Sequence, residues 1–396
     1  PKEEYMYYLI AFLNTKITPK YIEALNPTTT TQVGDLKRIP LIITSNQSIR
    51  EIINKTVIEN ISLSRADWDD FETSWDFKIH PLVRYKAGRI EEAYKTWEAV
   101  ADERFKKLKA NEEELNRIFI EIYGLQDELT PELADEDITV RRAELDRDIR
   151  SLISYAVGCM FGRYSLDREG LIFAGGTFDK GAYSTFIPDE DNIIPVTDQD
   201  YFENDIVSRF IEFVEKVYGA ENLEENLAFI AKALKPASTK TARQAIREYF
   251  FNDFFKDHCK VYKKRPIYWQ FETGPAGAMK ALVYLHRMDE FTPARVRTDY
   301  LHPLMRAYEG EIKRIEQMRE DTLTASERAS YRKQKEDLQK KTAEIMKYDP
   351  VIAHIASRPI KLDLDDGVAV NYQKYQNVEV VENGKPFVAA NLLTKI

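Results

Sequence analysis

The chain has 396 residues, 43% of them apolar and 31% charged, with a formal net charge of −9. That length carries two or three domains with sizeable cores, and that balance describes a soluble, helix-leaning globular protein. It excludes a membrane-crossing helix, since no apolar run approaches the roughly 20 residues a span needs, and it argues against indiscriminate coating of nucleic acid.

The first residues, Pro1-Lys2-Glu3-Glu4, do not form a signal peptide, and a start at proline suggests a fragment. Two cysteines, Cys159 and Cys259, are too few for a disulfide framework or a zinc site, which points to a reducing compartment, the cytoplasm. Residues 3–25 read as a helix that Pro19 must kink or end. The hydroxyl-rich loop 26–35 follows. There Thr30 and Gln32, with Lys37 and Arg38 just beyond, are candidates to touch phosphates or base edges, or form an ordinary solvated loop. A short strand with Pro40 is expected at 39–43, then an amphipathic helix over 46–61. Ser64 has the look of a new helix cap. Residues 68–77 pack acids and aromatics densely enough to read as a structural lock.

Residues 89–123 form a long helix with one apolar stripe, capped by Gly124. The stretch 127–148 is strongly acidic and would face solvent or a basic partner, with a helix start at Thr130-Pro131-Glu132. Helices are expected over 141–161, from a cap at 197–200 to Gly219, over 223–234, and over 239–261 behind Ser238. Residues 304–319 and 325–347 read as an antiparallel helical hairpin, the second arm opened by a capping box at Thr324 and projecting into solvent or onto a partner. From Pro350 the tail turns to strands, with Asn383-Gly384 as a hairpin turn. The fold class is therefore α+β, predominantly helical, with small β-hairpins. The expected domains are 1–85, 86–303, 304–349 and 350–396.

The chain is organised around residues 262–303. Apolar runs at 267–271 and 279–285 flank Gly274-Pro275-Ala276-Gly277, a strand–turn–strand pattern. Between residues 260 and 306 stand nine Lys or Arg against four acids, a net of +5. A positive block in an acidic protein is a footprint for polyanions. Its candidate contacts are Arg265, Lys280, Arg287, Arg295, Arg297, Tyr300 and His302. The competing reading is a buried hairpin whose arginines are structural. Catalytic signatures are missing: no phosphate loop, G-x-S-x-G, H-E-x-x-H or kinase set is present, and the five histidines have no metal-ligand spacing.

Several blocks resemble the C-terminal part of the PglX-type adenine-specific DNA methyltransferases of BREX phage-defence systems. They are 10–34 (IAFLNTKITPKYIEALNPTTTTQVG), 67–81 (DWDDFETSWDFKIHP), 116–131 (NRIFIEIYGLQDELTP), 149–166 (IRSLISYAVGCMFGRYSL), 265–308 and 360–372 (IKLDLDDGVAVNY). The resemblance implies a parent enzyme that methylates adenine in double-stranded DNA with S-adenosylmethionine and takes part in excluding phage DNA. In that family the cofactor site and the N-P-P-Y-type motif lie N-terminal to this region. Here Asn26-Pro27 is followed by Thr28, so no residue carries over as catalytic, cofactor-binding or metal-binding. The chain is expected to be the tail of the target-recognition region followed by a helical domain. Its expected partners are DNA and other BREX components. The alternative is a scaffold docking such components or a phage-encoded DNA mimic.

Overall fold

The computed structural model describes residues 5–26, 28, 30–318, 323–358, 360–382 and 385–396. They form two compact units: residues 1–77 with 93–144, and residues 78–92 with 145–396.

In the first unit the helix expected over 3–25 is two helices, Met6–Leu13 and Ile17–Leu25. The break falls at residues 14–16 and not at Pro19, which sits in the first turn of the second helix, where a missing N–H costs nothing. Tyr8, Phe12 and Ile17 bury against Ile53, Val57 and Phe119. The strand expected at 39–43 is irregular chain. Its backbone groups bond to phenols instead of a partner strand. Tyr8 Oη donates to the Ile42 carbonyl at 2.9 Å, and Tyr123 Oη donates to that of Pro40 at 2.6 Å while accepting from Ile42 N–H at 3.0 Å.

The helix expected to stop at 61 continues as Gln47–Asp69, so Ser64 is mid-helix and caps nothing. The lock at its end is ionic. Asp67 accepts the Arg141 backbone N–H at 3.0 Å and its Nε at 3.1 Å, Arg104 reaches Asp70 at 2.9 Å, and the Arg141 guanidinium lies 3.5 Å over Phe71. This diversion of Arg141 explains why the next helix begins only at Leu145 (Leu145–Met160). No helix starts at Pro131. Side chains of the long helix Ile90–Tyr123 take the backbone instead: Asn116 Nδ2 donates to Pro131 O, and Glu113 accepts from Leu133 N–H. Part of the acidic stretch is neutralised within the chain, Asp135 by Lys109 and Arg142.

In the second unit, strands β1 (Ile193–Val196), β2 (Tyr268–Glu272) and β3 (Lys280–Tyr284) form an antiparallel sheet ordered β1-β3-β2. The β2–β3 pair is the strand–turn–strand unit expected from the sequence, while β1 was not foreseen. Register sets Trp269 opposite Val283 and Tyr268 opposite Tyr284. Because side chains alternate, these two pairs lie on opposite faces. The Trp269 face joins the main core with Tyr308, Ile345, Tyr348 and Val351.

The helical hairpin is His302–Glu316 and Ala325–Ser357. Thr324 forms its expected capping box with Glu327. The exposed first turns of the second arm give way to Leu338, Ile345, Tyr348, Val351 and Ile352, all buried. That buried stripe carries the helix through Pro350 to Ser357, where strands were expected; one lost backbone bond is outweighed by core burial. Glu344 clamps the β2–β3 turn by accepting from Thr273 Oγ1 (2.7 Å), Ala276 N–H (2.6 Å) and Ala278 N–H (3.0 Å). Strands β4 (Val378–Glu382) and β5 (Lys385–Ala390) pair antiparallel; the expected Asn383-Gly384 turn lies outside the described residues.

The helix expected over 223–234 is Leu223–Leu234, whereas two others of this unit shift their starts. The helix expected from 197–200 is Ile206–Tyr218, capped by Asp205. The one expected behind Ser238 starts after Thr241 and runs as Ala242–Tyr249, a π turn Phe250–Phe254, and Phe255–Val261.

Candidate nucleic-acid interface

Six of the basic-block candidates are engaged within the second unit. Lys280 Nζ donates to the Phe251 carbonyl at 2.8 Å and pairs with Glu272 at 3.3 Å. Arg287 donates to the carbonyls of Phe161 (3.1 Å), Asp189 (2.9 Å) and Glu190 (3.1 Å), with its guanidinium 4.2 Å over Phe178. Arg295 pairs with Asp289 at 2.8 Å. Arg297 forks onto Asp349 at 2.8 and 3.0 Å, and His302 Nε2 meets the same carboxylate at 2.7 Å. Tyr300 is buried, its hydroxyl donating to Asp191 at 2.9 Å. Arg265 is exposed.

Thr30, Gln32, Lys37 and Arg38 belong to the first unit and are exposed. The Thr30 carbonyl accepts from Asn26 Nδ2, and the Gln32 N–H is capped by Asp35 at 3.0 Å, which starts the short helix Val33–Arg38.

What remains open is the segment that delivers the chain into β2. Lys256 and Lys260 stand one turn apart on the helix Phe255–Val261, so they share a face. Lys263 and Lys264 follow with φ of 51° and 61°, then Arg265. All five side chains are exposed, and none makes an ion pair among the described residues. The acid of this segment, Asp257, is turned inward onto Arg150 (2.6 Å) and Tyr249 (3.0 Å). Its charge is therefore satisfied by the fold, and the cations are left to the surface. Lys263 and Lys264 occupy the left-handed conformation that glycine usually fills after a helix, at a steric cost of roughly 1–2 kcal/mol each.

Beneath this segment lies His258, 3% exposed. Its Nε2 accepts both the Ile267 N–H (3.0 Å) and the Tyr268 N–H (3.1 Å), so the ring proton sits on Nδ1. Burial, aided by the charge of Arg163, pushes its pKa down to about 3 and keeps the ring neutral. Arg163 follows the helix Leu145–Met160, with Nε donating to Tyr164 Oη (3.1 Å) and Nη1 to Tyr284 Oη (3.2 Å). Sequence reasoning counted Lys260, Lys263 and Lys264 without singling them out, and missed Lys256 and Arg163. The i, i+4 spacing of Lys256 and Lys260 ahead of the Lys-Lys-Arg run was a readable signal; Arg163 offered none.

No family model matches the chain. It is 46% identical over 377 residues to the adenine-specific methyltransferase PglX of Lacticaseibacillus casei (strain Zhang), covering 93% of this chain and 31% of that protein. The chain is related to the PglX-type adenine-specific methyltransferases. The adenine-specific methyltransferase BrxX of Escherichia coli O9:H4 (strain HS) is similar at 37% identity over 399 aligned positions, 93% of this chain and 32% of that protein. The chain thus spans about a third of the length of the curated PglX-type relatives it matches. Among its described residues no helix is long and apolar enough to cross a membrane.

Proposed function

We propose that this chain is a non-catalytic, DNA-engaging part of an adenine-specific DNA methyltransferase that marks host DNA in BREX-type phage defence in the cytoplasm. Its PglX-type relatives support the methyltransferase context. The observation that carries the DNA reading is the run Lys256, Lys260, Lys263, Lys264 and Arg265, exposed and without an acidic partner among the described residues. Such cations neutralise backbone phosphates and position a duplex without reading its sequence. Methyl transfer from S-adenosylmethionine then belongs to the whole protein.

The test is anisotropy of labelled duplexes of different sequence at two salt concentrations. Affinity is expected to be independent of sequence and to fall with salt, log affinity against log salt losing roughly 0.9 per phosphate neutralised. No binding at about 50 mM salt, where this term is strong, would remove the reading. Calorimetric titration with S-adenosylmethionine is expected to show no stoichiometric binding to this chain.

A second reading, docking of another defence component or of a DNA mimic, is favoured by one observation. Ile58, Ile61 and Trp68 are exposed along the helix Gln47–Asp69, and Trp75 beyond it is 99% exposed. Large apolar side chains left in water mark protein-contact surfaces. Trp68→Ala with Trp75→Ala would abolish partner capture and leave duplex affinity untouched on this reading.

A further inference from the structure

Four partly buried arginines of this chain are matched to acids, Arg104 to Asp70, Arg141 to Asp67, Arg150 to Asp257 and Arg247 to Asp205, and Arg287 is matched to three backbone carbonyls. Arg163 is not. Its guanidinium lies against Tyr164 and Tyr284, the latter on the sheet face opposite Trp269. Among the described residues it meets no carboxylate and donates only to the phenols of Tyr164 and Tyr284. A guanidinium carries five N–H donors in a fixed fork, so three remain unused, both of those on Nη2 among them. The Tyr164 ring, 5.3 Å from the guanidinium carbon, offsets part of the cost of burial and satisfies none of those donors. An arginine cannot shed its charge, so a partly buried one with no carboxylate to match it among the described residues offers its open donors to an anion.

A second observation comes from the same cluster. His258 is held neutral with its proton on Nδ1, and that atom is buried without a hydrogen-bond partner among the described residues. Its ring lies 4.6 Å from that of Tyr262, whose chain neighbours are Lys263 and Lys264. The open donors of Arg163 and His258 and the exposed cations Lys263 and Lys264 thus belong to neighbouring parts of one unit, and among the described residues none of the four pairs with an acid.

We propose that Arg163 is the floor of a phosphate-binding site, with Lys263 and Lys264 at its rim. The ligand is a phosphate, either the diester of a nucleic-acid backbone or a free phosphate. The inference deepens the DNA reading but rests on it only for the first of those sources.

The first arm measures the thermal midpoint in inorganic phosphate against chloride at constant ionic strength. Phosphate is expected to raise the midpoint of the natural chain by several degrees and to leave Arg163→Gln unmoved. The second arm measures duplex affinity. If the backbone diester is the ligand, Arg163→Gln weakens binding to every sequence by roughly tenfold at about 0.1 M salt and flattens the salt slope by about 1. A phosphate response without a duplex effect assigns the site to free phosphate and leaves the DNA reading to stand or fall on duplex binding by the natural chain. No phosphate response, with duplex binding indifferent to Arg163→Gln, overturns the inference while the DNA reading survives. Should Arg163→Gln fail to fold, hydrogen exchange in the natural chain replaces it. Phosphate is expected to slow exchange in residues 158–165 and 258–268, and no slowing there overturns the site.

Discussion

Two sets of cations within one stretch of sequence behave in opposite ways. Lys280, Arg287, Arg295 and Arg297, after the start of the β2–β3 unit, are drawn onto Glu272, backbone carbonyls, Asp289 and Asp349. Lys256, Lys260, Lys263, Lys264 and Arg265, before β2, stay exposed and make no ion pair among the described residues. The charges are the same, and the difference is in where the acids point. Asp349 arrives from a helix far along the chain to take Arg297 and His302, whereas Asp257, beside the open lysines, is turned away onto Arg150. A positive block read from sequence counts cations; its function depends on the carboxylates that tertiary structure brings to it or removes.

The largest expected effect is of acid on the base of the open segment. His258 and His80 are fully buried, and burial pushes each down to about 3. A free imidazole titrates near 6.5, so between those values the unfolded chain binds more protons than the folded one. Stability is therefore lost as pH falls from about 6.5 toward 3, by several kcal/mol in all. Chemical denaturation at a series of pH values checks this, and a flat profile between pH 7 and 4.5 would break it. Protonation also destroys the acceptor that ties His258 to the first residues of β2.

Next in size is Arg287→Ala, which leaves three carbonyls and the Phe178 ring without their partner and should cost about 3 kcal/mol. The salt slope of duplex binding should not change. A normal melt with a flatter slope would move Arg287 from the pinned set to the open one.

Charge reversal of the open set sharpens the contrast. Lys263→Glu with Lys264→Glu should lower duplex affinity roughly 50-fold at about 0.1 M salt and flatten the slope by about 2. Stability should stay within about 0.5 kcal/mol, as for surface substitutions generally. The smallest effect is expected from Arg295→Glu with Arg297→Glu. It breaks partly exposed pairs, costs about 1 kcal/mol in a thermal melt, and leaves the salt slope as it was. A folded double variant with a flattened slope would show that the pinned arginines contact DNA after all.

The elements legible in the sequence were those fixed by near neighbours. The apolar stripes of Ile90–Tyr123 and Leu223–Leu234, the Thr324 capping box and the β2–β3 unit each depend on contacts within a few residues or on one turn. The resemblance to PglX-type proteins was legible for the same reason, being carried by ordered blocks of sequence. Tertiary structure alone decided the rest. It carried a helix through Pro350 because Val351 and Ile352 bury in the core, and it replaced the strand at 39–43 with chain held by Tyr8 and Tyr123. It also placed β1 beside β3, about 90 residues away. At the candidate interface it chose which cations reach solvent, since pairing Arg297 with Asp349 or Asp257 with Arg150 joins residues that no local spacing relates. Helix and turn propensities act over a few residues, whereas a charge is neutralised by whatever the finished fold brings within a few ångströms.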